Sequence, residues 1–167
     1  MEIIENKVAK SGLITINLDE LMLEKSIETI DIKEVLYMGL MLKEKEFRDY
    51  IKSNDWEQYT DKYVHIICSS DAIVPTWAYM LMSTQLNNRA KLYIFGSKEE
   101  LINTILLNEI NQLPFQDYEG QRIVIKGCGE LPIHPNVYVQ LTDKLLPLAK
   151  SIMYGEPCST VPIFKKA

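Results

Sequence analysis

The sequence predicts an α/β fold: a three-layer parallel sheet built from two similar β-α-β halves, with a strand and a helix added on the N-terminal side. Three observations predict it. Strand-like and helix-like runs alternate along the chain. Residues 59–96 recur as residues 118–155, at an offset of 59 without gaps. Tyr63 to Cys68 is a largely apolar, β-branched run, as in a strand covered on both faces.

The chain is expected to form one domain over residues 1–167, a length that fits one hydrophobic core. Residues 1–12 show no periodicity. Leu13 to Leu18 alternates, with Ile14, Ile16 and Leu18 on one side and Thr15 and Asn17 on the other. That is a half-buried strand expected at a sheet edge. Asp19 to Lys25 is expected to add a short helix. Asp31, with Glu34 three residues on, is read as the cap of a helix whose face carries Ile32, Leu36, Leu40, Phe47 and Ile51. This N-terminal strand and helix are placed at 13–52. The charged run from Lys43 to Asp49 is read as solvated surface.

Each repeat half reads as strand, helix, strand. Tyr63 to Cys68 is a β-branched apolar run. Pro75 falls at a helix start, where its missing N–H costs little. Lys91 to Phe95 is a second strand closed by Gly96. In the second half the matching pieces are Arg122 to Lys126, a helix opened by Pro135 and ended by Pro147, and Lys150 to Tyr154 closed by Gly155. Matched positions include Tyr59 with Tyr118, Tyr79 with Tyr138, Phe95 with Tyr154 and Asp71 with Glu130. Between the halves, Ser97-Lys98-Glu99-Glu100 is a capping box before a helix that ends near Leu113. The C-terminal residues 156–167 are expected to form a loop. The expected strand order is second, first, third, fourth, with the Leu13–Leu18 strand at an edge.

Composition narrows the partners. A net charge of −5 argues against a nucleic-acid surface. No apolar run reaches the length of a membrane span, and Met1-Glu2-Ile3-Ile4-Glu5 lacks the design of a signal peptide. A cytoplasmic protein is expected, with no membrane partner. A homodimer is the base-rate assembly. The three cysteines, Cys68, Cys128 and Cys158, are an odd count, which speaks against a disulfide framework.

In the expected sheet the strands ending at Cys68 and near Cys128 are neighbours, about 4.8 Å apart. Their carboxyl ends lie at the switch point where ligands bind. Cys158 follows the fourth strand, so all three thiols are expected at one edge. Three thiolates with Asp71 or a histidine suit zinc or an iron–sulfur cluster. Ser69, Ser70, Gly127 and Gly129 would line the site. The serines lead into a helix N-terminus that favours a thiolate or anion, and the glycines let backbone approach a ligand. The other readings are a reactive thiol in a small-molecule pocket, with Asp71 or Glu130 as acid/base, and thiols that merely fill the core. His65 inside an apolar strand is read as a packed histidine, His134 beside Pro135 as a cap, and Trp56 and Tyr59 as packing anchors.

The stretches Cys68-Ser69-Ser70-Asp71-Ala72-Ile73-Val74-Pro75-Thr76-Trp77-Ala78-Tyr79, Ile125-Lys126-Gly127-Cys128 and Ser151-Ile152-Met153-Tyr154-Gly155-Glu156-Pro157-Cys158-Ser159-Thr160-Val161-Pro162 resemble a bacterial family of the Bacteroidetes type, domain of unknown function 2480. The resemblance spans essentially the whole chain. The family has no established activity, so no catalytic role comes with it. The resemblance implies iron–sulfur assembly proteins as partners.

Overall fold

A computed structural model describes residues 12–127, 129–156 and 159–166. In chain order its elements are β1 (Leu13–Ile16), β2 (Ile27–Asp31), α1 (Glu44–Ser53), β3 (Tyr63–Ile67), α2 (Thr76–Leu86), β4 (Leu92–Phe95), α3 (Lys98–Gln112), β5 (Arg122–Ile125), α4 (Pro135–Leu145), β6 (Ser151–Glu156) and β7 (Ser159–Lys165). Two compact units result. One is residues 24–102; the other, the split unit, combines the described residues up to Leu23 with those from Asn103 onward. No helix among the described residues is long and apolar enough to cross a membrane.

The fold is mixed α/β and its strands are mostly parallel, but they form two sheets where one was expected. The 24–102 unit holds β2-β3-β4, all parallel; the split unit holds β1-β5-β6-β7, parallel except for β7 against β6. The expected contact between the strands ending at Cys68 and Cys128 is therefore not made. Each of those strands, β3 and β5, takes its own earlier strand on that edge: β2 beside β3, and β1 beside β5. The strand order also never reverses in either sheet, so there is no switch point. Crossovers of one hand then place successive helices on the same face. The core of the 24–102 unit bears this out, with Phe47 and Ile51 of α1 and Ala78, Met82 and Leu86 of α2 in one cluster with Val64 and Ile66 of β3. Here two layers share a core, instead of the three expected.

The helix expected from Asp31 to Ile51 divides into two pieces. Asp31 does cap, but it caps a short 3-10 turn over Ile32–Val35, accepting from the Lys33 N–H at 3.0 Å. The chain then reverses at Met38 and Gly39, both with positive φ (53° and 69°), and the Tyr37 N–H donates to the Met41 carbonyl at 2.8 Å. Glycine reaches that region without strain and methionine does not. Only Glu44–Ser53 is helical, burying Phe47 and Ile51. The expected short helix after Asp19 is a 3-10 turn over Glu20–Met22. The C-terminal loop proves to be a strand from Ser159, and Pro162 sits within it on the sheet edge, the one place a strand tolerates proline.

Several local readings hold. The Ser97–Glu100 capping box forms reciprocally: the Glu100 N–H donates to Ser97 Oγ at 3.1 Å and the Ser97 N–H to Glu100 Oε2 at 2.6 Å. His65 is buried, with Nε2 2.7 Å from Thr29 Oγ1 and Nδ1 3.3 Å from the Gly96 carbonyl, so both ring nitrogens serve packing. Trp56 and Tyr59 are buried, and the Trp56 indole N–H donates to the Ile51 carbonyl at 2.8 Å.

Burial pushes the Tyr50 phenol up to about 12, and the neighbouring Tyr59 and Glu34 add to the rise. The folded state thus favours the neutral phenol. Its contribution is complete below the ordinary tyrosine value of about 10 and disappears as pH climbs from there toward about 12. Tyr50→Phe is expected to flatten that alkaline loss of stability, measured by urea unfolding from about pH 9 to about pH 12. An unchanged profile would assign the loss to other tyrosines.

Candidate functional site

The groups expected to make one site lie beyond the carboxyl ends of strands in two different sheets. Cys68, Ser69, Ser70 and Asp71 follow β3 in the 24–102 unit. Gly127 and Gly129 follow β5 in the split unit. Cys128 and Cys158, the two other expected ligands, lie outside the described residues. No group of three or more His, Cys, Asp or Glu able to hold a metal ion occurs among the described residues.

After β3 the loop is tied by local hydrogen bonds. The half-buried Cys68 thiol donates toward the Ser70 carbonyl at 3.5 Å, with Ser70 Oγ at 3.4 Å. The Ser69 N–H donates to Asp31 Oδ1 at 3.0 Å, joining this loop to the end of β2. Partial burial works to raise the Asp31 carboxyl. The hydrogen bonds from Ser69 and Lys33 and the Lys33 charge outweigh it and hold the group below the usual carboxylate range. Asp71 is exposed. Burial, with Cys68 close by, raises the Tyr79 phenol. The Tyr79 ring lies against Phe95, centroids 4.4 Å apart.

After β5 the loop is stripped and open. A groove of about 520 Å³ lies over the ends of β5 and β6. Gly127 and Gly129 form its backbone wall, and Leu131, Ile133, Pro135 and Val139 its apolar wall. Tyr138 and Tyr154 close it, their rings edge to face with centroids 5.6 Å apart. The Tyr154 hydroxyl donates to the Gly127 carbonyl at 3.2 Å, so the ring stands over the glycine. A Cβ on Gly127 would collide with Tyr154 Cζ, which is a direct reason for glycine there. The volume falls in the range of small-molecule sites, which are concave and mostly apolar with few polar groups.

Local chemistry sets these positions. Both faces of β5 are buried at Ile123, Val124 and Ile125. Gly127 and Gly129 beyond it bring only backbone to the groove wall. His134 caps α4 as expected, its Nδ1 accepting from the Asn136 N–H at 3.2 Å. Its own N–H donates to Asn103 Oδ1 at 2.8 Å, which anchors the start of α4. That helix start places Tyr138 one turn in. The sequence reading singles out Gly127 and Gly129 but assigns no site role to Tyr138, Tyr154 or Val139. The signal for the two tyrosines is the alignment at an offset of 59, which sets Tyr138 over Tyr79 and Tyr154 over Phe95.

These features define a parallel-stranded α/β protein with a small-molecule-sized groove beyond the carboxyl ends of its strands. The chain belongs to the family described as protein of unknown function (DUF2480), whose model matches residues 2–166. Comparison with curated proteins and with solved structures finds no match.

Proposed function

We propose that the chain is a small-molecule-binding protein whose site is the groove over β5 and β6, with the Cys128 thiol acting on or beside the bound molecule. The observation that carries this is the groove: about 520 Å³, walled by Gly127, Gly129, Val139, Tyr138 and Tyr154. Cys128 stands in the sequence between the two glycines that line it.

The two units are, in this reading, copies of one β-α-β design. What supports it is coincidence of boundaries. Shifted by 59 positions, β3, α2 and β4 begin where β5, α4 and β6 begin. The pairing of Tyr63 with Leu92 becomes that of Arg122 with Ser151. The copies then differ at the strand end. Cys68 and Ser70 stand where the split unit has Gly127 and Gly129, so side chains occupy the space that the groove leaves free. One copy keeps a site and the other fills it.

The test uses the full chain and 8-anilinonaphthalene-1-sulfonate as the probe. Binding near one equivalent, with alkylation of Cys128 slowed and alkylation of Cys68 unchanged, is the expected result. Absence of binding, or binding indifferent to Val139→Glu, would overturn the reading. Metal content of protein purified without oxygen separates the other reading. Zinc or iron near one equivalent, lost in Cys128→Ser, would instead favour a thiolate metal centre that includes Cys128, with iron–sulfur assembly proteins as partners.

A further inference from the structure

A crevice beside the groove is lined by two ionic residues, Asp19 and Lys126. Asp19 follows β1, and its carboxylate is packed against Gly129 so closely that a Cβ there would collide with Asp19 Oδ2. Asp19 Oδ1 is buried and has no hydrogen-bond partner. Lys126, just past β5, lines the same crevice, which has no room for a water molecule. The crevice joins the groove through Gly129, Ile133 and Tyr138, which line both. Among the described residues Asp19 and Lys126 form no ion pair with each other, and Lys126 is held through its backbone N–H, which donates to the Ile16 carbonyl.

A buried oxygen with no donor is unfavourable, so folded proteins seldom keep one without a use. Asp19 is only half-buried, but its Oδ1 calls for a donor that the chain does not provide. A purely cationic ligand would satisfy Asp19 and bring a like charge to Lys126. A purely anionic one would do the reverse. A molecule carrying both charges a bond or two apart satisfies both ends. The rest of the groove, with Val139, Tyr138 and Tyr154, is apolar and aromatic.

From this we infer that the groove takes an α-amino acid with an apolar or aromatic side chain. Its ammonium meets Asp19, its carboxylate meets Lys126, and its side chain lies between Tyr138, Tyr154 and Val139. The head group enters by moving Gly129 off the Asp19 carboxylate, a contact held by no hydrogen bond among the described residues. This inference rests on the groove being the binding site.

Calorimetric titration of the full chain with four probes tests it: L-phenylalanine, 3-phenylpropionate, 2-phenylethylamine and benzyl alcohol. L-Phenylalanine is expected to bind at least about tenfold more tightly than any of the other three, the equivalent of one paired charge at about 1.4 kcal/mol. Asp19→Asn should erase its advantage over 3-phenylpropionate, and Lys126→Gln its advantage over 2-phenylethylamine. Asp19→Asn keeps the shape of the side chain and breaks no hydrogen bond at the buried Oδ1, so its melting temperature should not fall. Equal binding of all four probes, a preference for a singly charged one, or a ranking untouched by both variants would overturn the inference. In those cases competition with the anilinonaphthalene probe would leave the groove reading standing. If none of the four binds, the inference falls, and if the anilinonaphthalene probe fails as well, the groove reading falls with it.

Discussion

Phe47→Ala is expected to cost about 3–5 kcal/mol of stability, the largest loss from any single truncation discussed for this chain. The ring is 0% exposed at the inner face of α1. It packs edge-on against Trp77, centroids 5.9 Å apart at 74°, and tilted against Tyr50 at 5.9 Å. Alanine leaves a cavity between α1 and α2, and neither helix can collapse onto the sheet without breaking contacts with Met82 and Leu86. Domains are stable by only about 5–15 kcal/mol, so the loss is a large fraction of the total. In a thermal melt followed by circular dichroism the midpoint should fall by about 10 °C or more. Leu23→Ala, at a residue 68% exposed, is the control and should stay within about 0.5 kcal/mol. A Phe47→Ala midpoint within a degree or two of the parent would show that the ring does not anchor this core.

Gly127→Ala is expected to separate folding from binding. Its Cβ would collide with Tyr154 Cζ and lie 2.7 Å from the hydroxyl oxygen. Tyr154 is more than a third exposed, so its ring can swing outward. That motion breaks the hydrogen bond to the Gly127 carbonyl, a loss of about 1 kcal/mol. It also removes one wall of the groove. Affinity for the anilinonaphthalene probe should drop about tenfold while the melt barely moves, since tenfold corresponds to only about 1.4 kcal/mol at the site. Tyr154→Ala removes the same wall without a collision and should weaken binding similarly. Undiminished affinity in both variants would place the probe elsewhere on the protein.

What the sequence made readable follows from how strongly neighbouring residues agree. The β3 run from Tyr63 to Ile67 is apolar on both faces, and α3 carries a full capping box, so local propensity and burial point the same way. β6 would read alone as more helix, and the match to the first half corrects that. β2 is hidden because Ile27 to Ile30 alternates over too few residues, and the spacing of Ile32, Leu36 and Leu40 mimics a helical stripe. The true break there is the Met38–Gly39 turn. β7 is hidden by Pro162, which argues against a strand anywhere but at an edge. Missing β2 also led to the wrong neighbour for β3, because it left that flank vacant for β5. The two glycines of the groove were legible, since Gly-Cys-Gly strips a strand end of side chains. Asp19 was not, because its approach to Gly129 depends on β1 lying beside β5, a pairing between opposite ends of the chain.

That pairing also orders events during synthesis. Leu13 leaves the ribosome well before its partner Arg122 has been made. Every strand of the 24–102 unit is complete well before then. Translation at about 5–20 residues per second therefore leaves β1 waiting several seconds as an unpaired apolar segment. The carboxylate-bearing turn after it meets Gly129 only once β5 has been made, so a chain cut short before β5 lacks the walls of the groove altogether.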